Sequence, residues 1–347
     1  MQTSKMKEDD IRPAPLLDEY FRLLKIDAVR LASESNRFVE VDCPFCGGSE
    51  REPAFRKDGF SYQLCRSCGS LYVTPRPTRE QLARYYTDSE AVRFWSQEFY
   101  RSTAAARREK MFRPRARLIQ SLHQSGAFAQ ARGDPVPGTT TLSMIDVGAG
   151  YGLFLQEVRA LNLFKRIAGL EPEPRLGEIC RAEGFEVIPK WAEEVPEGEQ
   201  FSVATCFEVL EHVFSPVEFL AGCARLLRPG GVLVLTTLTI DGFDLQVLWD
   251  HSRSITPPQH LNFPSLRGAS ALLERAGLRE EEISTPGELD LDIVRNWIAQ
   301  KPEITVPQFV RQLAAAGERT RAEFQEFLQR HRMSSHLRCI ASRSLAS

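Results

Sequence analysis

The sequence of 347 residues predicts an α/β fold, a doubly wound and mostly parallel sheet preceded by a small cysteine-rich ribbon and a helical connector. Three observations carry this. A short apolar strand, Leu142-Ser-Met-Ile-Asp-Val147, runs into Gly148-Ala-Gly-Tyr-Gly152 and then into a helical pattern from Leu153, which is the strand, glycine turn and helix of a nucleotide-binding unit. From there strand-like and helix-like segments alternate, as parallel strands require because each crossover needs a helix. Upstream stand Cys43-Pro-Phe-Cys46-Gly and Cys65-Arg-Ser-Cys68-Gly, with eighteen residues between them, the spacing of a four-thiolate metal ribbon.

Residues 1–77 read as the first unit. Leu16-Leu-Asp-Glu-Tyr-Phe-Arg-Leu-Leu24 repeats apolar residues at helical intervals, predicting a helix packed on the ribbon or against a partner subunit. Phe60-Ser-Tyr-Gln-Leu64 and Ser70-Leu-Tyr-Val-Thr74 alternate as short strands. Each cysteine pair sits on a tight turn permitted by its glycine. Cys43, Cys46, Cys65 and Cys68 facing one another therefore make a closed tetrahedral zinc site, structural because no coordination position is open.

Residues 78–138 read as a helical connector. It starts at the capping box Thr78-Arg-Glu-Gln81 and ends in a glycine- and proline-containing loop over 125–140. Its aromatic run (Tyr85, Tyr86, Phe94, Trp95, Phe99, Tyr100) reads first as interface core. Its basic run (Arg101, Arg107, Arg108, Lys110, Arg113, Arg115, Arg117) reads as a solvated face or as a phosphate contact. Residues 139–347 hold the sheet, with strands near 142–147, 166–171, 185–188, 201–207, 231–238, 279–285 and 336–342. Helices are expected near 152–161, 174–184, 216–228 and 266–276, and residues 288–332 form a helical excursion, either a lid or a dimer surface.

Composition narrows the function. A formal charge of −2 supplies no overall field for polyanions, and the ribbon segment 42–74 has no strong excess of cations, so nucleic acid is not the expected partner. No apolar stretch approaches the ~18 residues of a membrane span. The N-terminal Met-Gln-Thr-Ser-Lys-Met-Lys lacks a hydrophobic signal core. No membrane partner is expected, and the cytoplasm is the expected compartment.

The second strand indicates the ligand: Arg166-Ile-Ala-Gly-Leu-Glu171 ends in a carboxylate nineteen residues after Gly152, where such folds bind a ribose diol. Together Asp146-Val-Gly-Ala-Gly-Tyr-Gly152, Glu171, Phe201-Ser-Val-Ala-Thr-Cys-Phe-Glu-Val-Leu-Glu-His-Val213 and Ala224-Arg-Leu-Leu-Arg-Pro-Gly-Gly-Val-Leu-Val-Leu235 resemble the class I S-adenosylmethionine-dependent methyltransferases over residues 140–285. The resemblance implies a Rossmann-like seven-stranded sheet whose last strand inserts antiparallel beside the fifth. It implies S-adenosylmethionine as cofactor, with contacts from Asp146, Gly148, Ala149, Gly150, Gly152, Glu171, Ala192, Glu193, Phe207 and Glu208. An NAD enzyme would more often show G-x-G-x-x-G and would lack Leu227-Arg-Pro-Gly-Gly231. One departure is Trp191, near the place of the family's adenine-binding acid. Either Glu193 or Glu194 takes that role, or stacking and backbone groups hold the base. The ribbon followed by Thr74-Pro-Arg-Pro77 resembles the N-terminal zinc-binding domain of sugar C-methyltransferases and related enzymes of polysaccharide and natural-product clusters.

A sulfonium methyl is already electrophilic, so such a site must hold an acceptor in line and remove its proton. His212 is the first candidate base, oriented by Glu211, the alternative being a structural role for the pair. His260, in Thr256-Pro-Pro-Gln-His-Leu-Asn-Phe263, is the second and is expected to shape the acceptor pocket, with Trp249 and Phe263 as an apolar wall. His251 reads as a surface residue. The expected function is methyl transfer to carbon or oxygen of a small molecule, a nucleotide-linked sugar or natural-product intermediate whose diphosphate meets the basic run. An RNA-base methyltransferase and a non-catalytic binding module are the alternatives, and a homodimer is allowed for.

Overall fold

The computed structural model describes residues 6–129, 142–198, 200–301 and 303–344. Most of the loop expected over 125–140 lies outside these residues. After two N-terminal helices, Glu8–Ile11 and Ala14–Ala32, come three short strands, β1 (Arg51–Lys57), β2 (Phe60–Cys65) and β3 (Leu71–Val73). It continues with β4 (Ser143–Val147), β5 (Arg166–Leu170), β6 (Glu186–Ile188), β7 (Phe201–Phe207) and β8 (Leu227–Leu238). β9 (Asn262–Phe263), β10 (Leu278–Ser284) and β11 (His336–Arg343) complete the set.

Seven strands form the main sheet, in the order β10-β11-β8-β7-β4-β5-β6. The pairs β4–β5, β4–β7, β5–β6 and β7–β8 are parallel, and β11 runs antiparallel to both β8 and β10. This is the expected topology. Every residue of β4 is buried, as are all but the last of β7, because helices cover both faces of central parallel strands and leave no polar side. The chain winds one way from β4 to β5 and β6 and the other way to β7 and β8. The switch point lies between β4 and β7, where open α/β sheets bind ligands at the carboxyl ends. Both the glycine turn after Val147 and Glu208 open onto it.

A second sheet has the order β1-β2-β3-β9. Its fourth strand comes from the segment after β8, with Leu71 opposite Phe263 and Tyr72 opposite Asn262. Phe263 is therefore fully buried with Tyr62 and Leu71. Its expected place as a wall of the acceptor pocket is corrected: pairing with β3 turns the ring into the ribbon core. The helix Ala14–Ala32 packs Leu17, Tyr20 and Leu24 on Ala91 and Phe99 of the connector, and Ala28 and Leu31 on the ribbon. Thr78 caps Arg79–Asp88 with the predicted box, its side chain accepting from Gln81 N–H.

The helical excursion consists of Asp290–Gln300, Gln308–Ala315 and Glu318–Arg330. Asp290 anchors it, its carboxylate accepting from Ser334 Oγ (2.6 Å), Ser335 N (2.7 Å) and Gln325 Nε2 (2.7 Å). Asp244 is also fully buried in the adjacent helix Phe243–Leu248. Burial and the charge of Asp290 hold its carboxyl well above the ordinary carboxylate range. A carboxyl whose folded pKa exceeds its unfolded one favours the fold when protonated, so this contribution fades as pH rises above about 4. Asp244→Asn keeps the shape without the proton, so its stability relative to wild type should increase between about pH 5 and about pH 8. Chemical denaturation at both values checks this, and a pH-independent difference would contradict it.

Candidate active site

The chain leaves β4 through Gly148, Gly150 and Gly152, at φ of 79°, 53° and 70°, a region that side chains make costly. A Cβ on Gly148 would lie 2.8 Å from Val209 Cγ2, and one on Gly152 would lie 2.8 Å from Cys180 Sγ. At Gly150 nothing lies within 4 Å, so this turn opens on space that a ligand can approach. Gly150 N–H donates to Glu171 Oε2 (2.8 Å) and Glu173 N–H to Oε1 (3.0 Å). Glu171 is buried, which raises its pKa against the pull of those two amides. Each oxygen keeps a lone pair for a second donor. Asp146, also buried, accepts from Thr205 Oγ1 (2.6 Å), and burial pushes its carboxyl up to about 7. Ala149 N–H lies on the Leu170 carbonyl.

Beyond β6, the turn Ala192–Glu194 is pressed against the helix Pro216–Leu226, where a Cβ on Gly222 would lie 2.2 Å from the Ala192 carbonyl. Of the two acids left open there, Glu194 accepts from Trp191 N–H (3.4 Å). Glu193 Oε2 is buried with no hydrogen-bond partner among the described residues.

The connector closes over the glycine turn. Tyr100 stacks on Tyr151 (centroids 4.9 Å apart, 18° between planes), and the Tyr151 hydroxyl donates to the Ser96 carbonyl. Arg108 and Arg113 pair with Glu157 of the following helix, and Lys110 pairs with Asp10. Arg107 is buried against the Trp95 and Tyr100 rings and donates to Thr103 Oγ1 (2.9 Å) and the Ile11 carbonyl (3.1 Å). Arg115 reaches Glu208 Oε1 (3.2 Å) across the Phe207 ring, 4.6 Å from its centre. The basic run is thus mostly a set of intramolecular tethers, with Arg101, Arg113 and Arg117 exposed and Arg113 still paired with Glu157.

Glu208 follows β7 with φ of 57° and accepts from Thr236 Oγ1 (2.6 Å), with His336 Nδ1 at 3.5 Å. Burial opposes its charge, but His336, Arg115 and Thr236 outweigh burial and hold its pKa below the ordinary range. Glu211 is buried and accepts from Thr237 Oγ1 (2.7 Å). His212 Nδ1 lies 3.1 Å from the Gln259 carbonyl, His260 Nδ1 lies 2.6 Å from that of Ser254, and the ring centres are 4.8 Å apart. Burial pushes His212 down to about 4 and His260 down to about 3, so both rings are neutral near pH 7. His251 is exposed, as expected.

Asn262 holds this loop, donating through Nδ2 to the carbonyls of Leu210 (3.2 Å) and Val213 (2.7 Å). Tyr20 donates to Gln259 Oε1. The hydroxyls of Tyr85, Tyr86 and Thr256 are buried without partners among the described residues. The sequence assigns no site role to Asn262, Tyr20 or His336, and offers Arg115 only a solvated or phosphate-contacting place where the structure pairs it with Glu208. Only the clustering of Gln259, His260 and Asn262 was available as a signal for any of them.

A family model described as a methyltransferase domain matches residues 103–283, just over half of the chain. A tRNA U34 carboxymethyltransferase of Pseudoalteromonas translucida is 30% identical over 168 residues, covering 46% of this chain and 50% of that protein. A ubiquinone biosynthesis O-methyltransferase of Xanthomonas oryzae pv. oryzae is 34% identical over 103 residues, covering 27% and 42%. The chain spans about half the length, or less, of these curated relatives. A solved S-adenosylmethionine-dependent methyltransferase from Mesorhizobium loti is 16% identical with a TM-score of 0.40, over 62% of this chain and 96% of that one. With the glycine turn, the ribose-type acid and the seven-stranded order all in place, the chain belongs to the methyltransferase domain family.

Proposed function

We propose that this chain transfers the methyl group of S-adenosylmethionine to carbon or oxygen of a small-molecule acceptor. The observation that carries the reading is the buried Glu171 carboxylate at the end of β5, tied to Gly150 N–H and still able to accept two further hydrogen bonds beside the switch point. Glu171 receives the ribose hydroxyls. Gly148, Ala149, Gly150 and Gly152 face the amino-acid part of the cofactor, with Asp146 behind them. Ala192 and Glu193 stand at the adenine end, where the free Glu193 oxygen suits an exocyclic amine. The ionised Glu208 and the face of Phe207 suit a sulfonium cation. The cofactor supplies the electrophilic methyl. Glu211, His212 and His260 act on the acceptor, His212 first because it directly follows Glu211 at the end of β7.

A nucleotide-linked sugar is the finer reading of the acceptor, supported by the partnerless hydroxyls of Tyr85, Tyr86 and Thr256. Its diphosphate falls to Arg101 and Arg117. RNA is the alternative, motivated by the tRNA enzyme among the relatives, and the internal pairing of the basic run counts against it. Incubation with labelled S-adenosylmethionine and either nucleotide sugars or total RNA separates the two, and label in RNA would overturn the small-molecule reading.

The ribbon holds a structural zinc. Cys43 and Cys68 Sγ are 3.6 Å apart, and Cys46 and Cys65 Sγ are 3.5 Å apart, close to the ~3.8 Å edge of a tetrahedron with metal–sulfur bonds of ~2.3 Å. Gly47 and Gly69 turn both knuckles in the same way, each N–H returning to the carbonyl of the first cysteine.

Two outcomes are expected. Glu171→Ala should weaken S-adenosylmethionine binding by about 1–3 kcal/mol, roughly 5- to 150-fold, because charge-assisted hydrogen bonds are lost. Calorimetry giving equal affinities, or preferential binding of NAD, would remove the assignment. Purified protein should contain one zinc per chain held by the four cysteines. Cys43→Ser should release it and lower the unfolding midpoint, whereas a zinc-free wild type with unchanged midpoint in the variant would refute the site.

A further inference from the structure

We propose that Glu211, His212 and His260 form a second metal site, which takes a divalent first-row transition ion and presents it to an oxygen of the acceptor. The proposal rests on the methyl-transfer reading only for the identity of that last ligand, and with Nε2 on the ion His212 acts on the acceptor through the metal and not as a free base.

One donor atom from each of the three side chains lies within 4.8 Å of the others. The tautomers are fixed by what they face. A backbone carbonyl only accepts, so Nδ1 of His212 on Gln259 O and Nδ1 of His260 on Ser254 O must both carry the proton. Each neutral ring then offers its lone pair at Nε2, and neither Nε2 has a hydrogen-bond partner among the described residues. An imidazole held by N–H···O=C at one nitrogen and free at the other is the arrangement of metal-ligating histidines, whose second nitrogen is nearly always anchored in this way. Ring placement agrees. A metal–nitrogen bond of ~2.1 Å puts a ring centre ~3.2 Å from the ion, so centres 4.8 Å apart subtend roughly 95° there, between octahedral and tetrahedral angles.

Glu211 completes the set. Its buried carboxyl has one Thr237 hydroxyl and no basic side chain within ion-pair distance among the described residues, so a cation supplies the charge that the protein does not. The surrounding frame is rigid: Asn262 clamps the carbonyls on either side of the Glu211-His212 pair, Tyr20 holds Gln259, and Tyr62 OH donates to the His260 carbonyl (2.9 Å). Two imidazoles and one carboxylate suit zinc, iron, cobalt or manganese and leave coordination positions open. The four-cysteine site has none open, and its thiolates select differently.

Cobalt(II) is the probe, added to full-length protein already carrying zinc on its four cysteines and followed by desalting, elemental analysis and visible absorption. Wild type should retain one cobalt per chain beside its zinc. His260→Gln and Glu211→Gln should each weaken cobalt uptake at least about tenfold while keeping the zinc, which reports that the ribbon and the loop it supports are folded. Wild type retaining no cobalt overturns the proposal, as does undiminished uptake in both variants. S-adenosylmethionine affinity, measured on the same samples, keeps the two readings apart. Cofactor binding without cobalt sinks the metal site alone, and cobalt uptake without cofactor binding sinks the methyl-transfer reading and with it the acceptor as the ion's last ligand.

Discussion

One buried carboxylate joins the two loops on which the site depends. Glu171 accepts from Gly150 N–H in the turn after β4 and from Glu173 N–H in the turn after β5, each a charge-assisted bond of the stronger class. Left-handed backbone at three glycines has no preference of its own for one shape. The carboxylate supplies it. The glycine turn is thereby held from the neighbouring strand, and each oxygen of the same group keeps a lone pair for the ribose hydroxyls that we propose it receives. Position and charge meet in one side chain, one strand away from the point where the sheet changes direction.

The ribbon is bound to this arrangement through its edge. β9 pairs with β3, Ser265 N–H donates to Ser70 Oγ (3.0 Å), and Arg275 reaches the Phe45 carbonyl (2.8 Å) inside the first knuckle. The loop bearing His260 runs directly into β9. Its anchor, Asn262, belongs to the ribbon sheet while bonding the carbonyls beside Glu211 and His212. The cysteine ribbon and the loop bearing the two histidines thus share one edge strand.

Much of the fold was legible because it is written in short-range chemistry. The strand at Leu142–Val147, the glycine turn, the capping box at Thr78 and the paired cysteines each depend on residues within a few positions of one another. The seven-stranded order followed from the resemblance, and β11 inserts beside β8 as it implied. What the sequence did not disclose depends on separation. β9 is two residues long, too short for any periodic signal, and its partner lies about 190 residues earlier. Phe263 was misread for that reason. Arg108 and Arg113 looked like a solvated or phosphate-facing stretch because Glu157, which neutralises both, sits in a different element. The tethering of Glu208 by Arg115 and His336 draws on three distant segments, and no local pattern announces it.

The most direct measurement is a crystal structure with S-adenosylhomocysteine bound. The account predicts the ribose hydroxyls within hydrogen-bond distance of Glu171, the amino-acid end against Gly148–Gly152 and the sulfur turned toward Glu208 and the Glu211-His212 loop. A ligand seated elsewhere on the sheet, or a ribose that leaves Glu171 with only its two backbone amides, would contradict it.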